Sequence, residues 1–289
     1  MWVTACWEVL KMLELLQQLF SYSFIMRALV VGSLVALCAS LLGVSLVLKR
    51  YSMIGEGLSH VGFGTLAIAM SLQLAPLGVS IPLVLLAAFL LLRISENSRI
   101  KGDAAIALIS SSALAIGVIV ISMTVGMNSD VCNYMFGTIL AMSKGDLYLS
   151  ITVAIVVLIL YVLFYNRIFA VTFDESFAKA TGTKTGNYNM LIAFLTALVI
   201  VVGMRMMGAM LISSLIIFPA LTSMRIFRSF KSVVISSAIL SVICFFIGIV
   251  MSFAFSTPAG ASIVVVNLAA FCAFFIVGIF KKKGWEVRS

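Results

Sequence analysis

Residues 233–255 read VVISSAILSVICFFIGIVMSFAF, a stretch without a charged side chain. An α-helix of this length crosses a hydrocarbon core about 30 Å thick. Apolar residues occupy every side of such a helix, whereas a barrel strand alternates polar and apolar residues over about 10 positions. The stretch therefore predicts a transmembrane helix.

Similar apolar segments occur along nearly the whole chain. Of 289 residues, 63% are hydrophobic and 10% are charged, whereas an ordinary soluble domain has about 25% charged residues. This composition excludes a soluble globular protein. We predict an all-α polytopic membrane bundle of about nine helices, or eight if one short span is re-entrant, at residues 24–48, 53–73, 76–92, 104–125, 147–165, 189–204, 207–224, 233–255 and 261–280.

The net charge of +9 comes from basic residues in short clusters between the apolar segments. Such clusters set membrane topology, and they differ from the continuous basic face of a nucleic-acid-binding protein. With the lysines at 281–283 placed in the cytoplasm, 15 of the 19 lysines and arginines lie inside. An odd number of spans then places the N-terminus outside.

The segments between the spans predict further organisation. Residues 1–22 mix Trp and Leu with Glu and Lys, which predicts an amphipathic segment at the membrane surface. Residues 23–289 then form one transmembrane domain. Within the external segment 126–146, the half-apolar stretch 134–142 predicts a short helix that dips back toward the bundle.

Residues 166–188 form the longest predicted cytoplasmic segment and read NRIFAVTFDESFAKATGTKTGNY. Thr172 is followed three residues later by Glu175, which predicts a capped helix start, and Gly182 is a suitable helix end. We therefore predict a compact helix parallel to the membrane. We call residues 166–188 the coupling segment.

Glu56 and His60 lie in the second predicted span, and His60 is the only histidine of the chain. Positions i and i+4 share one helix face, with Cβ atoms about 5–6 Å apart. A carboxylate and an imidazole held in this way suit a zinc, manganese or iron ion. An ionisable side chain inside a membrane costs about 2.5–3.5 kcal/mol and therefore marks a cavity or a partner. The alternative is an interfacial carboxylate beside a hydrogen-bonded core histidine.

The sequence contains no complete catalytic or nucleotide-binding motif. Lys184 and Thr185 match the end of a phosphate-binding loop, but Ala178 and Thr183 stand where that loop requires glycine. We predict that the chain is not itself an enzyme and holds no permanent cofactor. An energy source, if the protein uses one, must then come from a partner.

Five segments, in order along the chain, resemble the manganese, zinc and iron permease family of bacterial ABC importers. They are LVLKRYSMIGEGLSH at 46–60, NYMFGTILAMSKGDL at 133–147, FDESFAKATG at 173–182, GMRMMGAMLISSLIIFPALTS at 203–223 and STPAGASIVVV at 256–266. The resemblance covers about residues 24–280 and implies an ABC importer permease fold in a bacterial plasma membrane. It also implies a permease homodimer, cytoplasmic ATPase subunits and an external metal-binding protein.

On this resemblance, Glu56 stands at the aspartate of the family's G-D-A-L-S-H motif and His60 at its histidine. Glu56 keeps the charge but lengthens the side chain, and Gly57 replaces the family's alanine. Residues 174–182 resemble the family's coupling helix, so Asp174, Glu175 and Gly182 are candidate ATPase-coupling residues. The implied function is uptake of a divalent transition metal, with zinc preferred over manganese or iron.

Two other classes of protein compete with this interpretation. A secondary carrier driven by protons or sodium has no use for a structured docking segment and typically shows several intramembrane carboxylates. An intramembrane hydrolase requires a nucleophile and base, or a metal that activates water, and the chain offers one histidine. Both alternatives therefore fit the sequence less well.

Overall fold

The computed structural model describes residues 23–97, 102–124 and 144–286. In these ranges the regular elements are all α-helices, so the predicted all-α class is confirmed. In chain order they are α1 (Ser23–Leu48), α2 (Ser52–Ser71), α3 (Pro76–Asn97), α4 (Gly102–Met123), α5 (Lys144–Leu163), α6 (Tyr165–Phe173), α7 (Glu175–Ala180), α8 (Thr185–Met207), α9 (Ala209–Met224), α10 (Phe230–Phe255) and α11 (Ala259–Glu286).

Seven described helices, α1, α3, α4, α5, α8, α10 and α11, are long and apolar enough to cross a membrane. This number is below the eight or nine predicted, although each predicted span coincides with a described helix. Helix α9 has 16 residues and is therefore only roughly 24 Å long. Helix α2 carries Glu56, His60 and several glycines, which lower its hydropathy. The predicted segments 1–22 and 134–142 lie outside the described residues.

A single residue, Gly208, separates α8 from α9. Its φ is 86° and its ψ is 158°, a conformation that glycine adopts at little cost. Beyond it the chain folds back, because a Cβ atom added at Gly203 of α8 would lie 2.5 Å from Cδ1 of Ile212 in α9. The apolar stretch on both sides of Arg205 is therefore two packed helices.

Helix α1 lies at the centre of the described bundle and packs against α5, α8, α9 and α10. The Ser241 hydroxyl of α10 donates to the Ala36 carbonyl of α1 at 2.9 Å. Small residues let membrane helices approach closely. The closest approach is at Gly43 of α1, where an added Cβ would lie 1.9 Å from the backbone oxygen of Ile216.

We expect Gly43→Ala to lower the thermal stability of the detergent-purified permease. The added methyl group would overlap a backbone oxygen that cannot rotate away, and overpacking costs roughly 1–3 kcal/mol. Gly186→Ala is the control, since it also lies in a helix and has nothing within 4 Å of its added Cβ. Thermal unfolding followed by fluorescence-detected size exclusion compares the two variants. Equal melting temperatures would contradict this packing of α1 on α9.

The coupling segment contains two short helices, α6 and α7, instead of one. Asp174 separates them and caps α7, because its carboxylate accepts the N–H of Phe177 at 2.9 Å. The prediction that Thr172 is the cap was wrong, since Thr172 is buried within α6. Gly182 follows α7 with a φ of 83°, a conformation that suits glycine at the predicted helix end.

Candidate metal site and coupling segment

Helix α2 is covered by its neighbours on most sides. A Cβ atom added at Gly64 would lie 2.6 Å from the Ala113 carbonyl oxygen of α4, so the two backbones are nearly in contact. On another side, the Ser59 hydroxyl lies 3.1 Å from the Ser213 hydroxyl of α9. These contacts fix α2 in the bundle, and they give its glycines a packing role.

One narrow face of α2 stays uncovered in the described part of the chain. Met53 and Glu56 are the exposed residues of this helix, and His60 is half-buried. Residues three and four positions apart on a helix are neighbours, so these three side chains form one stripe. The fold therefore brings Glu56 and His60 together, as the spacing predicted, on a side of α2 that no described helix occupies. Their role as metal ligands stays a prediction.

Within the described part of the chain, Glu56 and His60 are not joined by further ligand side chains into a complete metal site. Among residues 23–97, 102–124 and 144–286, no group of three or more His, Cys, Asp or Glu side chains is arranged to hold a metal ion. A closed structural zinc site has four protein ligands, whereas a transported ion must also be released. The pair can thus offer two ligands to an ion that takes its others from water or other protein groups.

Asp146 and Arg205 form a second charged cluster, near the end of the bundle where α5 begins and α8 ends. Arg205 Nη2 lies 2.9 Å from Asp146 Oδ2, and both side chains are largely buried. Asp146 lies in the first turn of α5, where a carboxylate interacts favourably with the helix dipole. Each of these charged side chains has the other as its partner, so the ion pair gives both a structural role.

Lys49 joins the coupling segment to the transmembrane helices. This residue directly follows α1, and its side chain is only 7% exposed. Its Nζ donates to Glu175 Oε2 at 2.8 Å, to the Val171 carbonyl oxygen at 3.2 Å and to Asn189 Oδ1. Asn189 in turn donates through Nδ2 to Glu175 Oε1 at 3.0 Å. One lysine therefore contacts α6, α7 and α8 at once.

The surroundings of Glu175 keep it ionised. Partial burial would raise the pKa of this carboxyl, but hydrogen bonds from Lys49, Asn189 and Thr185 and the charge of Lys49 lower it below its ordinary value. A carboxyl with a depressed pKa stabilises the fold above its ordinary pKa, and this stability is lost only as the pH falls through the lower folded value. The Lys49–Glu175 pair is therefore intact at neutral pH.

Sequence reasoning missed Lys49 and Asn189, because it used lysines only as topology markers. Lys49 lies in the turn that opens α2, the helix that carries Glu56 and His60. The backbone of that turn is constrained, since Arg50 has a φ of 61°. The coupling segment is thus hydrogen-bonded, through Lys49, to the turn that precedes α2.

A helical bundle with several apolar spans, an uncovered ionisable pair and a structured segment at one end defines a multi-pass membrane transporter. The model of the ABC 3 transport family matches residues 21–278. The chain therefore belongs to this family, and the resemblance seen in its sequence motifs is confirmed.

Curated relatives and solved structures agree with this assignment. The chain is 31% identical to the manganese import system permease protein ScaB of Streptococcus gordonii, over 91% of this chain and 95% of the relative. It is 30% identical to the high-affinity zinc uptake system membrane protein ZnuB of Haemophilus influenzae, over 91% of this chain and 99% of the relative. The structure of PsaBC from Streptococcus pneumoniae in complex with Fab matches with a TM-score of 0.82 and 31% identity, over 91% of this chain and 94% of that one.

Proposed function

We propose that this protein is the permease subunit of an ATP-driven importer of a divalent transition metal. Zinc is the first candidate, and manganese and iron are the others. We infer the class of ion from the pairing of Glu56 with His60 on the uncovered face of α2. Both ligand types bind all three metals, and the relatives named above include a manganese and a zinc permease.

The exposed carboxylate of Glu56 supports a homodimer. A charged side chain that faces lipid inside a membrane costs up to about 2.5–3.5 kcal/mol on insertion scales, so this face needs protein or water against it. Most soluble homo-oligomers use a two-fold axis, and such an axis beside α2 would place a second Glu56–His60 pair opposite the first. Four ligands would then surround a path between the subunits, with the ion as transported substrate.

Energy must come from a separate subunit, because the chain has no complete phosphate-binding loop. We assign the coupling segment, with Asp174, Glu175 and Gly182, to contact with a cytoplasmic ABC ATPase. A metal-binding protein on the outer side would deliver the ion, and the membrane would be a bacterial plasma membrane. The ion-coupled secondary carrier is not favoured, because the family and the named relatives belong to transport systems with permease subunits.

Metal uptake in cells that lack other zinc and manganese importers tests this function. We expect zinc-65 or manganese-54 to accumulate when the permease is expressed with its ATPase and delivery protein. A matched strain carries an ATPase whose catalytic glutamate is replaced by glutamine, and it should show background uptake. Undiminished uptake in that strain would contradict ATP coupling and favour an ion-coupled carrier. Competition among unlabelled zinc, manganese and iron ranks the substrates.

A further inference from the structure

A cleft of about 660 Å³ opens where α9 ends, α10 begins and α11 passes them. Its lining includes two exposed arginines, Arg225 and Arg228, together with the hydroxyl-bearing Ser229 and Ser232. Ser229 already accepts the backbone N–H of Ser232 as the cap of α10. The arginines are therefore the groups that give this cleft its charge.

The guanidinium of Arg225 is positioned by two aromatic rings of α11. Its central carbon lies 5.6 Å from the ring centre of Phe271 and 4.9 Å from that of Phe275. Cation–π contacts of this kind hold a guanidinium in one orientation. A planar guanidinium presents paired N–H donors that match the oxygens of a phosphate group.

An apolar groove of about 420 Å³ continues from the cleft along α10. It shares Phe227 and Ser232 with the cleft, so the two form one surface. The remainder of the groove is mainly isoleucine from successive turns of α10, closed on one side by α11. Its members are Ile235, Ser236, Ile239, Leu240, Ile243 and Phe274. The three isoleucines are each about half exposed, on the side of α10 that faces away from α1.

We propose that this surface binds one anionic phospholipid of the cytoplasmic leaflet. Its phosphate group contacts Arg225 and Arg228, and one acyl chain lies in the groove along α10. Charge complementarity selects the headgroup, because basic pockets between transmembrane helices on the cytoplasmic side suit anionic lipids. Because the apolar groove extends beyond the arginines, it favours a lipid with an acyl chain over a soluble anion.

Native mass spectrometry of the full-length permease, in the assembly in which it is extracted, tests the site. The delipidated protein is titrated with phosphatidylglycerol, or with phosphatidylcholine of the same acyl chains as the neutral comparison. We expect a first phosphatidylglycerol to bind tightly in wild type. Arg225→Gln/Arg228→Gln should weaken it about thirtyfold, since each basic residue near an anionic headgroup contributes roughly fivefold. The control variant Arg93→Gln/Arg167→Gln removes the same amount of positive charge away from the cleft. Its affinity for phosphatidylglycerol should equal that of wild type.

A second variant tests the groove without altering charge. Ile239→Trp fills the groove, so it should weaken phosphatidylglycerol binding while both arginines remain. Thermal unfolding in detergent identifies variants that misfold. If the double variant misfolds, Arg228→Gln alone replaces it, because this change leaves the packing of Arg225 on Phe271 and Phe275 in place. Equal binding of the two lipids to wild type, or equal losses in the two double variants, would overturn the proposal. Unchanged lipid binding with loss of ATPase copurification would overturn it as well, and would assign the cleft to the ATPase.

Discussion

His60→Ala and Glu56→Gln are each expected to reduce metal uptake to background while the permease stays folded. Each substitution leaves a single protein ligand on the uncovered face of α2. In the proposed dimer each substitution therefore removes two of the four ligands, and the remaining contacts replace less of the hydration shell of a divalent ion. Zinc-65 and manganese-54 uptake, measured in cells that lack other importers, checks the result. Permease abundance and melting temperature in detergent are measured in parallel.

Met53→Ala is the matched control for this pair, because Met53 lies on the same face and is 45% exposed. Its thioether is not among the Cys, His and carboxylate groups that typically hold zinc, so uptake should remain near the wild-type rate. Glu56→Asp restores the carboxylate that the family motif carries, and uptake should persist with a changed order of metals. Near-normal uptake by either His60→Ala or Glu56→Gln would remove the pair from the ion path.

The transport and structural interpretations of Glu56 and His60 predict different effects of these substitutions on uptake and on stability. If Glu56 and His60 were structural, removing one would leave a polar partner unsatisfied and would lower stability. Loss of uptake in proportion to loss of folded protein would therefore support the structural interpretation. The surroundings of Glu56 argue for the transport role, because its carboxylate is exposed and makes no ion pair with a described residue.

The apolar helices were predictable because their signal is local. An uncharged stretch such as 233–255 specifies a helix whatever surrounds it, and α10 forms there with bounds Phe230–Phe255. The i, i+4 spacing of Glu56 and His60 is local as well, so their shared face was also predictable. What covers the other faces of α2 depends on α4 and α9, and only the fold shows that the stripe stays open.

Contacts between residues that are far apart along the chain could not be predicted from the sequence. Lys49 and Glu175 are far apart along the chain, and nothing in the pattern of either segment indicates that they pair. The cap of α7 shows the same limit at short range, because Thr172 and Asp174 are both good capping residues and burial of Thr172 in α6 decides between them. Seven of the nine predicted spans are described helices long and apolar enough to cross a membrane, and α2 and α9 are the two that fall short of this measure.

Reversing the charge of Lys49 is expected to uncouple the permease from its ATPase. Lys49→Glu places two carboxylates together beside Asn189, and Glu175→Lys places two ammonium groups there. Because Glu175 is 45% exposed, loss of the pair costs between the roughly 1 kcal/mol of a surface pair and the roughly 3–5 kcal/mol of a buried one. Helix α7 has only 6 residues, so this loss should displace it. Both variants should lose ATPase copurification and metal uptake.

The double variant Lys49→Glu/Glu175→Lys separates a lost ion pair from lost individual residues. It restores opposite charges, so copurification and uptake should recover in part. Recovery stays incomplete because a carboxylate at position 49 cannot donate to the Val171 carbonyl as Lys49 does. Reversing Asp174 would be less informative, since that residue also caps α7. A double-mutant cycle on uptake rates gives the coupling between the two positions.

Arg93→Glu is the control for a general effect of charge. Arg93 is exposed and lies in α3, outside the coupling segment, so its reversal alters the net charge as much as Lys49→Glu does. It should retain most of the uptake. Equal losses in Arg93→Glu and Lys49→Glu, with no recovery in the double variant, would show that the Lys49–Glu175 pair does not position the coupling segment. Recovery in the double variant alone would identify the pair as the connection between that segment and the helix that carries Glu56 and His60.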